Sequence, residues 1–265
     1  LPAYKIDNGQ SVVINYIVDE IDAPEGYRSD KNGNTIINTE LTEVSVEKVW
    51  LDKETAHADI SVQLLADNKP SGDPVVLTED NNWKYTWIDL PAYQLVGDEV
   101  KEIVYTIDEI DAPEGYLSDE TGNAQTGFVL TNTKLTEISV EKQWVAGETS
   151  HGQISVQLLA DEVASGEAVI LKDGQWSYTW INLPAYKLEG EEVKEIEYSV
   201  QEITAPEGYA SKMEGTAETG FVITNTKLTS ISVEKIWQDT KSEHADIEVQ
   251  LLADDVASGD PVILG

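Results

Sequence analysis

Cysteine is absent from the 265 residues, so the chain has neither a disulfide framework nor a thiolate metal site at its disposal. Basic residues are scarce: 17 Lys and Arg face 50 Asp and Glu, for a formal net charge of -33. A surface of that sign repels phosphate, which argues against nucleic acid as a partner and against attraction to anionic membranes. No apolar run reaches the ~18 residues that a membrane-spanning helix needs, so membrane insertion is not expected. Nor does any segment hold a helical apolar period for three turns. What the chain does have is 40% apolar residues, with 7 Trp and 11 Tyr, enough to build cores and too many for a disordered acidic tail.

The sequence repeats itself. VSVEKVW at 44–50 returns as ISVEKQW at 138–144 and as ISVEKIW at 231–237, which spaces Lys48, Lys142 and Lys235 by 94 and 93 residues. APEGY begins at Ala23, Ala112 and Ala205, and an Asn-Thr pair closes a third block at Asn38, Asn132 and Asn225. Laid end to end, these blocks give two complete units, 41–134 and 135–227. Residues 1–40 match the C-terminal half of a unit and 228–265 the N-terminal half. The arrangement reads as a window on a longer tandem array. In the alternative, the C-terminal half unit of one molecule completes the N-terminal half unit of the next. Such a joint would lack the counterpart of GQWSYTW at 174–180, and with it a strand carrying two Trp.

Within each unit, apolar and polar residues alternate over short runs bounded by turn residues, the pattern of half-buried strands. In the first unit strands are expected near 43–50, 59–66, 74–78, 82–88, 101–110 and 126–133. Six or seven strands in some 93 residues make a sandwich-sized, all-β domain. Almost nothing separates one unit from the next, which implies a semi-rigid linear rod.

Because side chains alternate faces along a strand, the apolar set identifies the buried face, and three polar residues lie on it. Lys48 shares its face with Val44, Val46 and Trp50; Lys142 and Lys235 repeat the pattern. Glu109 aligns with Tyr105 and Ile107, and Glu202 with Tyr198 and Val200. Asn132 aligns with Phe128 and Leu130, and Asn225 with Phe221 and Ile223. A buried, unpaired ammonium or carboxylate is so costly that these groups must meet one another. Burial lowers a Lys pKa and raises a Glu pKa, so the pair can exist as neutral amine and protonated acid. The amine could then attack the Asn carboxamide while the acid hydrogen-bonds the developing oxyanion and shuttles protons to departing ammonia. The alternative is a buried salt bridge capped by Asn. His57, His151 and His244 occur once per unit, before the second strand, and are expected at the surface. No metal or cofactor is expected.

The runs SVEKVW, WKYTWIDLP, YTIDEIDAPEGY and FVLTNT resemble the B-type repeat domains of the collagen adhesin Cna, a family that builds stalks of Gram-positive surface adhesins and pilins. The resemblance extends over both complete units and both halves. It implies a seven-stranded, transthyretin-like or inverse immunoglobulin-like β-sandwich, stapled by an autocatalytic Lys–Asn isopeptide bond with Glu as catalyst. The match falls on Lys48, Glu109 and Asn132, and on Lys142, Glu202 and Asn225. Glu20, a catalyst by the same match, and Asn38 lack an upstream Lys, and Lys235 lacks downstream partners, so Asn38 and Lys235 are expected to link to neighbouring repeats. The first half unit departs from the pattern, with Asn38 coming 18 positions after Glu20 where the others have a step of 23. The expected role is a structural stalk or fibre, extracellular and either on the cell surface or anchored to the wall. Its partners would be neighbouring repeats and, head to tail, further copies; its only chemistry would be one self-crosslinking turnover. The alternative is a set of adhesin repeats that themselves bind a host or matrix component.

Overall fold

The computed structural model describes all 265 residues, and its regular structure is β except for one turn of 3-10 helix at Glu79–Asn81. Local pattern dictates this. Along 44–48, Val44, Val46 and Lys48 are buried while Ser45 and Glu47 are partly exposed, a period of two with one face on a core.

Each complete repeat is a sandwich of two sheets. In the first, Ile60–Ala66 is the centre of the smaller sheet. It pairs antiparallel with Tyr105–Ile110 on one side and with Lys69–Pro70 and Val75–Leu77 on the other. In the larger sheet, Tyr116–Asn123 pairs antiparallel with the strand that begins at Gly127. That strand lies parallel to Thr35–Leu51, which in turn pairs antiparallel with Lys84–Pro91. Eleven buried apolar residues fill the space between the sheets, among them Val62, Leu64 and Leu77 at no exposure. The second repeat builds an equivalent core of eleven around Val140, Val156 and Leu171. Each such side chain, fully buried, contributes on the order of 2 kcal/mol from removal of apolar surface from water.

No loop joins the repeats. The 19-residue strand Gly127–Val145 runs from one sandwich into the next. Its Phe128–Thr133 segment pairs with Val46–Leu51 of the first repeat, and its Val140–Val145 segment pairs in parallel with Phe221–Thr226 of the second. Thr35–Leu51 makes the same passage upstream, so the large sheets fuse into a single eight-stranded sheet. Irregularities in register between Thr42 and Val44, and between Thr136 and Ile138, mark the two crossings. Across the second crossing Lys53 forms a 2.6 Å ion pair with Glu195, at the end of the hairpin formed by Tyr186–Glu189 and Glu192–Glu195.

Three expectations need correction. The run 101–110 is not one strand: Glu99–Glu102 completes a hairpin with Tyr93–Val96, whereas Tyr105–Ile110 joins the smaller sheet. The chain changes partner at Val104, whose N–H donates to the Asp67 side chain and whose carbonyl accepts from the Asp67 N–H. The strand Tyr116–Asn123 was not anticipated, because seven of its eight residues are exposed and it carries no alternating apolar signature. Finally, 231–237 is not a strand and Lys235 does not point into a core. Ile231 and Val233 are exposed, as is Lys235, because no sheet in the chain lies against this segment.

Candidate functional site

The entry and exit strands of each sandwich are parallel neighbours, and the inner edge of the opposite sheet faces them. This arrangement brings together the three polar residues that share the apolar faces. Lys48 comes from the entry strand, Asn132 from the exit strand and Glu109 from Tyr105–Ile110 of the smaller sheet. The Lys48 side chain is 0% exposed and that of Glu109 4%, with Nζ 3.9 Å from Oε1. Asn132 Nδ2 donates to the same Oε1 at 2.9 Å, and Lys48 Nζ donates to the Leu130 carbonyl at 3.3 Å. The second repeat reproduces this geometry. Lys142 Nζ lies 4.0 Å from Glu202 Oε1, Asn225 Nδ2 donates to Oε1 at 2.9 Å, and Lys142 donates to the Ile223 carbonyl at 3.3 Å.

The electrostatics bring the uncharged amine within reach. Burial lowers the pKa of Lys48, with the Glu109 charge pulling partly back, to about 8. Burial does the same to Lys142 against the charge of Glu202, again to about 8. Asn132 and Asn225 are wholly buried, and the Oδ1 of each has no hydrogen-bond partner. A buried carbonyl oxygen without a donor is costly. Flipping the amide exchanges Oδ1 with Nδ2, and against a protonated Glu109 the flip supplies Oδ1 with a donor. In either orientation a carboxyl group, an amine and a carboxamide meet in an apolar enclosure, which can support amide exchange or an ion pair.

Aromatic residues roof each Lys. Lys48 Nζ sits 4.7 Å from the ring centroid of Trp50, and Lys142 Nζ 4.5 Å from that of Trp144. Trp50 is stacked on its outer side by His57 at 4.2 Å and met edge-on by Tyr116 at 5.3 Å; His151 and Tyr209 do the same for Trp144. His57 and His151 are therefore not free surface residues, as expected from sequence, but half-buried covers. In the first repeat His57 and Tyr116 converge on Asp52. Burial pushes that carboxyl up, but hydrogen bonds from His57, the Glu54 N–H and Tyr116 outweigh it and hold the pKa below its ordinary value.

Sequence reading missed one participant. Ser118 donates to Glu109 Oε2, Ser211 to Glu202 Oε2 at 2.5 Å, and Ser29 to Glu20 Oε2 at 2.5 Å. The signal was available as a serine recurring nine residues after each Glu.

The half units hold partial sets. Asn38 donates to Glu20 Oε1 at 3.0 Å, and the Ser29 and Asn38 hydrogen bonds, against a small effect of burial, lower the Glu20 pKa. No Lys joins them, and Asn38 is exposed. Lys235 lies over Trp237 at 4.7 Å and Trp237 stacks on His244, but no Glu or Asn partner is in reach.

A family profile described as the Cna protein B-type domain matches residues 44–133 and 138–226. Among curated proteins, a collagen adhesin of Staphylococcus aureus is 34% identical over 273 residues, covering 93% of this chain but 22% of the adhesin. Among solved structures, a single B repeat unit of the S. aureus collagen-binding surface protein Cna is 29% identical. It aligns over 72% of this chain and 100% of its own, with a TM-score of 0.33. A two-repeat fragment of the same protein is also 29% identical, over 91% of this chain and 66% of its own, with a TM-score of 0.33.

Proposed function

The chain belongs to the Cna protein B-type domain family, and we propose that it forms structural stalk or fibre repeats of a bacterial cell-surface protein, each complete repeat stapled by a self-formed isopeptide bond. The observation that carries this reading is the enclosure itself: two buried sites, each with an amine of lowered pKa and a carboxamide on one carboxyl oxygen.

In the proposed reaction a proton passes from the Lys48 ammonium to Glu109, leaving amine and acid. Nζ attacks Asn132 Cγ, and the acid O–H hydrogen-bonds the oxygen that takes up negative charge. The Nζ–Cγ bond forms, one Nζ proton is relayed through the carboxyl group to Nδ2, and the Cγ–Nδ2 bond breaks. Ammonia departs, and Glu109 gives up its proton to it as ammonium. Lys142, Glu202 and Asn225 do the same in the second repeat. Nothing turns over a second time.

Intact mass under denaturing conditions tests this. Loss of roughly 34 Da, two ammonia equivalents, is expected; an unchanged mass leaves a buried ion pair and refutes the staple. In the same reading Lys235 and Asn38 belong to sites that neighbouring repeats complete, and covalent multimers would mean that copies join head to tail.

A second reading, repeats that themselves bind matrix, draws on exposed apolar side chains that recur at equivalent positions, Tyr85 and Tyr178 on one face of their strands and Ile88 and Ile181 on the other. The matching relative is named a collagen adhesin, and the present chain spans 22% of it. Immobilised collagen is the direct test: saturable binding supports this reading, and its absence leaves the stalk.

A further inference from the structure

The serine beside each Glu has a more specific role than filling space. Ser118 is the direct cross-strand partner of Asn132, as Ser211 is of Asn225 and Ser29 of Asn38. Directly opposed residues on an antiparallel pair project from the same face. The register that aims the Asn at the carboxyl group therefore aims the Ser there too. The division of labour is the same three times: Asn meets Oε1 and Ser donates to Oε2. The two complete sites also place Lys Nζ nearest to Oε1.

We propose that Ser118 and Ser211 are positioning residues for the crosslinking reaction, holding the Glu carboxyl so that its proton resides on Oε1, the oxygen shared by the amine and the carboxamide. This rests on the isopeptide reading above. A carboxylic acid has two oxygens and one proton. With Oε2 accepting from the serine hydroxyl, the proton is confined to Oε1, where it can reach the Asn carboxamide and later the leaving nitrogen. The hydroxyl also pins the carboxyl plane, which a flexible Glu side chain at the sheet edge would otherwise rotate. Without it, the proton and the plane are distributed over orientations that do not react.

The two repeats of one chain provide an internal control. The full chain is made by cell-free synthesis, quenched in denaturant at intervals, and the Lys48–Asn132 and Lys142–Asn225 linked peptides are quantified separately by mass spectrometry. Ser118→Thr keeps the hydroxyl and is expected to close the first repeat within about threefold of the wild-type rate. Ser118→Val, of nearly the same shape, and Ser118→Ala are expected to slow it roughly tenfold, as for loss of one neutral hydrogen bond at the upper end of its usual worth. The second repeat should close at its normal rate in every variant. A Val or Ala variant closing as fast as the Thr variant overturns the positioning role while leaving the isopeptide reading intact. A wild-type chain with no linked peptide at any time overturns the reading itself, and this inference with it.

Discussion

Lys48 is a cation placed where a cation is hardest to keep. Its side chain is fully buried, its nearest carboxylate oxygen is 3.9 Å away, and burial lowers its pKa from 10.5 to about 8. In a chain that cannot crosslink, that lowering is a pH-dependent stability term. The folded state releases the proton near pH 8 and the unfolded state near 10.5, so over that window the unfolded state holds more protons and stability rises with pH. An Asn132→Ala, Asn225→Ala chain is therefore expected to gain stability between pH 8 and 10, measured by denaturant unfolding. The wild type, whose Lys nitrogens are amides in the proposed state, should lack that gain; equal slopes in the two proteins would count against a buried, titrating Lys. The acid has its own test. Glu109→Gln keeps the shape but loses the exchangeable proton, and should reduce the mass loss from roughly 34 to roughly 17 Da, with the remaining link mapping to Lys142 and Asn225. An unaltered loss would remove Glu109 from the reaction.

At the scale of strands and hairpins, the site depends on parallel register between entry and exit strands, and that register depends on how each exit strand is delivered. The turn leading into it is tight: a Cβ on Gly122, whose φ is +87°, would lie 2.1 Å from the Gly127 carbonyl oxygen. Gly215 stands in the same relation to Gly220. Backbone cannot yield as the tip of a side chain can, and L-residues seldom adopt this φ. Gly122→Ala is expected to destabilise the first repeat by about 2 kcal/mol or more and to lower its crosslinked fraction, as read by thermal unfolding and by peptide mapping. An unchanged melt would mean that the hairpin relaxes without disturbing the register. The strand feeding this turn, Tyr116–Asn123, was invisible to apolar periodicity because nearly all of it faces water. Ser118 lies on that strand, and its one trace in the sequence is the nine-residue spacing from Glu109; its role follows from pairing with Asn132.

On the scale of the whole chain, each complete repeat is entered and left through adjacent parallel strands, so tension along the chain shears them against each other. A bond from Lys48 to Asn132 would carry that load directly and leave the 83 residues between them unstretched. By the chain-closure formula for disulfides, the same link is worth roughly 4.5 kcal/mol of unfolded-state entropy. Stretching single molecules separates the cases. A Lys48→Ala repeat should lengthen by up to roughly 280 Å on unfolding, at about 3.4 Å per residue, whereas a closed repeat should not lengthen. Long extension of the wild-type repeats would exclude the staple. The charge of -33 acts at this scale as well, because like charge along the chain disfavours collapse of one repeat on another and association between chains.

The alternation of side chains is a local property of an extended backbone, so the sequence alone determined the all-β class, the repeat period and the burial of Lys48, Lys142, Asn132 and Asn225. It also placed Glu109 and Glu202 on inner faces, and the requirement that buried charges be paired grouped them with the Lys and Asn residues. Only the tertiary structure decided what depends on which strands become neighbours. The serines reach the Glu carboxyl groups through cross-strand register, and the histidines stack over the Trp–Lys pairs through a loop fold. The Lys235 segment, identical in pattern to its buried counterparts, stays exposed because burial requires an opposing sheet and none lies against it. A pattern specifies which face is apolar; the fold specifies what that face meets.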